Sequence, residues 1–334
     1  MKGIKLITVV SAVFLMVACA SNEPKLDTSL YDGKPIDTLS SEEPPKTEKE
    51  AIERGDVALS SGNMDLALYE YIRSLSFENS QYRDKSLYSI GRIHQSRGNL
   101  TLADKAYSLA LEENPNNVQV LEQLGSIYSK NGDIDQGKSY FLKAINADQI
   151  RFGNSNTLDG KDLVTSKDVA ELKSDTSSPE FAYMGLGVIA DLEQNHTLAQ
   201  AFYKQALSIN PASVKTLTNV GYSFYMSGDY RKAQRFTIEA LEKDPRNDKA
   251  LNNLALIYLG KGEITRAINV FSRHMDKPEA LNNVGYFLIL QGKPDKAIPY
   301  LQQAIDSKNT YYKIANENLE RALAMVREGE IKDN

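Results

Sequence analysis

One cysteine, three histidines and scattered acidic pairs are the side chains in this 334-residue chain that chemistry would have to use. Cys19 is the sole thiol, and its thiolate form is a nucleophile that accepts acyl or alkyl groups. His94, His196 and His274 stand too far apart in sequence to form a one-turn ligand pair, and no second cysteine can complete a metal set. Neither a G-x-S-x-G nucleophile turn nor a lysine-bearing phosphate loop occurs. Pairs such as Glu112–Glu113 have the spacing of a solvated helix face. The reading is of a chain that is not an enzyme, with no catalytic residue, no metal and no small-molecule substrate.

The segment that positions Cys19 is distinctive. Met1 to Lys5 carries two lysines, and the apolar run Leu6–Ala18 is about a dozen residues, the length of an export-signal core and too short for a comfortable membrane span. It ends in Met16-Val17-Ala18-Cys19, small residues leading to a thiol. This resembles a bacterial lipobox, with Met16 where leucine is usual. The resemblance implies a lipoprotein signal peptide over 1–18, cleavage before Cys19, and covalent lipid on that residue. Several acyl chains hold firmly, because each buried CH2 adds about 0.8 kcal/mol. Ala20 and Ser21 follow rather than an aspartate, which by the same resemblance implies outer-membrane sorting, the folded part facing the periplasm. Apart from that lipid no cofactor is expected. A single cysteine allows no internal disulfide.

The net charge is −5, and losing Lys2 and Lys5 makes the remainder more acidic. Without a basic block, nucleic acid is excluded as a partner, as is charge-driven binding to anionic lipid. Residues 19–47 are rich in Pro, Ser, Asp and Glu, and read as a disordered tether.

Beyond it the sequence repeats. "LYSIGRIHQSRGNLTLADKAYSLALEENP" (87–115) and "LTNVGYSFYMSGDYRKAQRFTIEALEKDP" (217–245) share glycines, alanines, aromatics and a terminal proline at matching places. Units begin at 48, 84, 118, 180, 214, 248 and 278. They resemble the tetratricopeptide repeat, a helix–turn–helix unit of about 34 residues. The expected fold is therefore all-α, a tetratricopeptide-repeat solenoid, with repeats one to three over 48–150 and four to seven over 180–309. Apolar residues at unit positions 4, 7 and 11 mark one helical face. A glycine at position 8 costs about 1 kcal/mol in a helix, which is tolerable where it lets the second helix, with its alanine at position 20, approach closely. Between the blocks, 151–179 reads as a polar surface insert with a helix near Ser166–Lys173, acting as a hinge. Residues 310–328 read as a capping helix, with Leu319, Leu323 and Val326 inward.

First helices of such repeats line a groove. Asn219, Asn253 and Asn283 recur at position 6, with Asn252 and Asn282 beside two of them. Such an amide ladder suits the backbone of an extended peptide. Tyr222, Tyr225 and Tyr286 lie near it, and Lys215 and Lys249 at position 2 suit acidic groups. The alternative use of the asparagines is to bond neighbouring helices. A chaperone-type carboxylate clamp is absent, since its positions in repeat five hold Thr218 and Tyr222.

Residues 250–297, with a truncated repeat breaking at "DKPEA", resemble the TadD-type lipoproteins of the tight-adherence (Flp) pilus system. That resemblance implies an assembly factor whose partners are the outer-membrane secretin or other pilus and secretion components. Scaffolding of peptidoglycan hydrolases or proteases, or a part in outer-membrane protein assembly, are the competing expectations.

Overall fold

The computed structural model describes residues 26–39, 43–154, 158 and 163–332. Cys19 and the signal segment lie outside them. Local signals start the helices: Thr47, Asn117, Ser213 and Asn247 each accept the backbone N–H three residues on. Loss of such a cap costs about 1 kcal/mol. Between paired helices the chain turns through a left-handed residue, as at Gly228 with φ 81°, where glycine has no Cβ to clash.

The chain forms two compact units, Met1–Leu102 and Ala103–Asn334. Described helices of the first are α1 (Glu48–Ser60), α2 (Met64–Ser74) and α3 (Arg83–Ser96), with α4 (Leu100–Glu113) crossing the boundary. The second continues with α5 (Val118–Lys130), α6 (Ile134–Arg151), a short α7 (Ser166–Ala170), α8 (Glu180–Leu192) and α9 (His196–Ile209). Then come α10 (Val214–Met226), α11 (Tyr230–Lys243), α12 (Asp248–Gly260) and α13 (Ile264–Phe271). The last are α14 (Lys277–Leu290), α15 (Pro294–Asp306) and α16 (Lys313–Lys332). Among the described residues every regular element is helical, and no helix is long and apolar enough to cross a membrane. The pairs α5–α6, α8–α9, α10–α11, α12–α13 and α14–α15 are the repeats expected from the sequence.

The position-8 glycines do let the two helices of a pair approach, but the side chain they admit is the one at position 24, not the alanine at position 20. A Cβ on Gly187 would lie 2.5 Å from the Tyr203 ring, and one on Gly125 equally close to Phe141. The aromatic ring needs the missing methyl's space to lie flat across the first helix, so these buried rings build the core.

The insert departs from its polar reading. Leu158, Val169 and Leu172 are buried in the core cluster that holds Phe141 and Tyr203. Helix α7 is shorter than expected and is started by a Thr165–Asp168 capping box. Nor does the insert separate two blocks: α6 and α8 pack, Phe141 meets Phe181 edge-on at 6.1 Å, and Glu122 accepts the Ala182 N–H at 2.9 Å. The boundary between compact units falls at Leu102/Ala103 instead.

Part of the polar N-terminal segment also packs. In the first unit Leu30 is buried, and its carbonyl accepts from His94 Nε2 at 2.8 Å. Asp32 accepts from Arg97 at 2.7 Å and Asn99 at 3.1 Å, while Arg97 reaches Asp65 at 2.6 Å. With Tyr31 edge-on against Tyr69 at 6.4 Å, these contacts turn residues 26–39 into a strap. The C-terminal helix starts at Lys313 and buries Ala315 and Ala322 most deeply, with Leu319, Leu323 and Val326 half-buried beside them.

Candidate functional site

First helices α10, α12 and α14 carry the expected site residues, and packing divides them into two groups. Most of the amides are committed internally. Asn253 Nδ2 donates to the Thr218 carbonyl at 3.1 Å, tying α12 to α10. Asn283 Nδ2 donates to Met275 Sδ at 3.2 Å. Asn282 is buried and accepts from Asn318 at 2.9 Å, and Asn252 Oδ1 lies 3.1 Å from His274 Nε2. Of the position-6 amides, Asn253 alone reaches the preceding first helix, and Asn283 bonds the loop just before its own. Asn219 alone of the five makes no hydrogen bond among the described residues.

The lysines and tyrosines fall differently. Lys215 stands 4.6 Å over the Phe181 ring. Desolvation, then the nearby ammonium groups of Lys130 and Lys249, pull its pKa below the usual lysine value. Tyr225 is half-buried, 6.1 Å from Tyr222 and 5.8 Å from Tyr230 between ring centres, and hydrogen-bonds Gln291. Burial raises its pKa. Tyr286 packs edge-on against Phe287 at 5.4 Å.

What the amide pattern hid is an apolar stripe. Position 9 of successive first helices holds Val188, Tyr222, Leu256 and Tyr286, and position 13 holds Leu192, Met226, Gly260 and Leu290. Exposure reaches 38% at Val188, 67% at Leu192, 40% at Tyr222, 49% at Met226 and 54% at Leu290. In α8 and α10 these side chains, with Asn219 and Gln194, line one depression. Its floor is fixed by Asp191, which accepts from Ser223 Oγ at 2.7 Å and Tyr203 Oη at 3.0 Å and lies 2.8 Å from His196 Nδ1. Gln194 has φ 60°, at the turn position where other repeats place glycine. A non-glycine residue there costs about 1–2 kcal/mol, strain that holds a polar side chain at the rim. The sequence signal for this stripe was available: apolar residues at positions 9 and 13, outside the core set of 4, 7 and 11.

The three histidines lie in separate settings, His94 against the strap, His196 on Asp191 and His274 on Asn252.

Tetratricopeptide repeat family models match residues 106–138 and 238–269 in one form, and 84–117, 182–213 and 278–311 in another. Among curated proteins, the chain is 35% identical over 98 residues to the Photosystem I assembly protein Ycf3 of Prochlorococcus marinus subsp. pastoris, covering 27% of this chain and 57% of that protein. The chain thus spans little more than half the length of the curated relatives it matches. Among solved structures, a tetratricopeptide repeat protein from Parabacteroides merdae is similar at TM-score 0.52 and 18% identity, over 84% of this chain and all of that one. PilW, described as a widely conserved type IV pilus biogenesis factor, is similar at TM-score 0.53 and 12% identity, over 69% and 93% of the two chains. PilF of Pseudomonas aeruginosa follows at 0.50 and 15%, over 68% and 90%. At these identities the likeness is one of fold, and the fold is the all-α stack of tetratricopeptide repeats.

Proposed function

We propose that this chain is a non-catalytic adaptor, anchored to the outer membrane by lipid on Cys19 and facing the periplasm, whose first-helix face docks protein partners during assembly of a tight-adherence pilus or related secretion system. The observation that carries the docking face is the exposed apolar patch of Leu192, Tyr222 and Met226 on α8 and α10. Large apolar side chains left uncovered in one row favour association, because covering each contributes about 1.5–3 kcal/mol. The uncommitted Asn219 amide beside them can hold one backbone group of a docked segment in register. The anchor reading rests on the residues around Cys19. The pilus reading rests on the sequence of 250–297, and the type IV pilus factor PilW shares the fold.

The test is a photo-crosslinking residue at Tyr222 in the full chain, expressed in its own envelope, with adducts identified by mass. Secretin or pilus-component adducts that vanish on Met226→Ser are the expected result. Adducts with peptidoglycan hydrolases instead would replace the pilus reading with an envelope scaffold. Labelled palmitate should enter the wild type and not Cys19→Ala.

A further inference from the structure

Grooves between consecutive second helices recur along the second unit, and two of them at the same register differ: one is partly covered by the chain itself and the next is open. At the first, α6 and α9 flank α8, and the chain's own insert covers part of it: Val164 packs on the apolar cluster of Leu142, Leu186 and Leu198, with Leu163 at the rim and 74% exposed. The same insert buries Val169 and Leu172 nearby. One repeat on, α9 and α11 flank α10, and no described segment lies across them. Register position by position, Val220 stands for Leu186 and Phe236 for Phe202, so the floor stays apolar. There Phe224 stacks on Phe236 at 5.5 Å, with 2° between the ring planes.

The rim has changed sign of character. Lys204 replaces Leu142 and Lys232 replaces Leu198, and Arg235 joins them. Lys232 pairs with Asp229 at 3.0 Å and lies 5.1 Å from the Phe224 ring. The Arg235 guanidinium stands 4.5 Å from the Phe236 ring. Neither Arg235 nor Lys204 forms an ion pair among the described residues. In a chain of net charge −5, three cations around an apolar floor run against the average.

We propose that the α9–α11 groove receives a short apolar segment of a partner protein flanked by carboxylates. A polypeptide is the occupant because the equivalent groove already holds one. Carboxylates are its flanks because the two leucines at the covered groove are lysines here, and Lys204 and Arg235, with no ion pair among the described residues, reward an acidic rim beside an apolar floor. This site uses second-helix positions 19, 22 and 25, and stands or falls separately from the first-helix stripe.

Short random peptides displayed on phage and selected on the full chain test it. The expected result is enrichment of sequences with apolar centres and Asp or Glu flanks. Their affinity should fall about tenfold or more, roughly 1.4 kcal/mol, on Lys204→Glu with Arg235→Glu. It should be unchanged on Tyr222→Ala with Met226→Ser. Both changed cations are exposed, and circular dichroism verifies folding. No enrichment, enrichment without acidic flanks, or binding that survives the charge reversal overturns the proposal. Two other results overturn it in favour of a different occupant: charge-dependent retention on phosphatidylglycerol vesicles without acidic peptides assigns a lipid surface, and self-association abolished by the same reversal assigns a second copy.

Discussion

The strap at 26–39 and the insert at 151–179 both lie outside the repeat pattern and both fold back onto helices, by different means. The strap buries one large apolar side chain, Leu30, rests Tyr31 edge-on against Tyr69, and adds the His94 bond to the Leu30 carbonyl and the charged series Asp32–Arg97–Asp65. The insert buries Leu158, Val169 and Leu172, and its helix and exit are tied by amides: Gln149 donates to the Lys173 carbonyl at 2.8 Å and Gln205 to that of Val169 at 2.9 Å. Among its described residues Arg151 pairs with Asp175 at the surface and with the buried Asp148 of α6. The first pair holds Asp175 down at about 2, with the Arg151 hydrogen bond as the first cause. The two segments show that polar composition does not decide whether a stretch packs. The spacing of its few apolar residues does, and the remaining polar groups only determine how that packing responds to salt and pH.

The largest expected effect is on the apolar side of this contrast. Leu172→Ala should destabilise the second unit by about 2–4 kcal/mol, as read by urea unfolding, with little change between low and high salt. A salt-dependent loss, or none, would mean that the insert is held by its polar groups after all.

Next comes Glu122, which pins the chain just after the insert by accepting the Ala182 N–H. Burial raises this carboxyl to about 7, against the downward pull of the Ala182 and Phe181 N–H groups. A carboxyl raised on folding contributes stability below its unfolded value of 4.5, and that contribution is lost as pH rises through about 7. Glu122→Gln removes the dependence, so the variant should exceed the wild type at pH 8 by about 1–3 kcal/mol, with the difference shrinking toward acid. Parallel pH profiles of the two proteins would contradict the assignment.

The smallest effect belongs to the strap. Arg97→Ala should cost about 1 kcal/mol and speed amide exchange around Leu30, and the wild-type strap should loosen in high salt. Exchange that ignores both salt and the substitution would place the strap's hold in its uncharged contacts alone.

Much of this was legible beforehand. The repeat period, the caps and turn glycines, the shortened α13 and the C-terminal helix follow from local preferences acting over a few residues. The position-8 glycines were found and their partner misassigned, because only packing shows that the side chain at position 24, a ring at Tyr203 and Phe141, rather than the small residue at 20, fills the space. The site was legible in part. Tyr222 and Asn219 sit at the apolar depression, whereas Asn252, Asn253, Asn282 and Asn283 are engaged by other parts of the fold. Sequence can place an amide on a helix face without showing that a carbonyl of the previous repeat lies within reach.

The sequence by itself determined the helices, their pairing and the positions facing the core, because backbone hydrogen bonds and a 3.6-residue period are local properties. Tertiary structure alone decided which amides were spent, where the insert went, and which apolar residues stayed uncovered. Those outcomes depend on surfaces brought together from distant parts of the chain, and no local pattern encodes their fit.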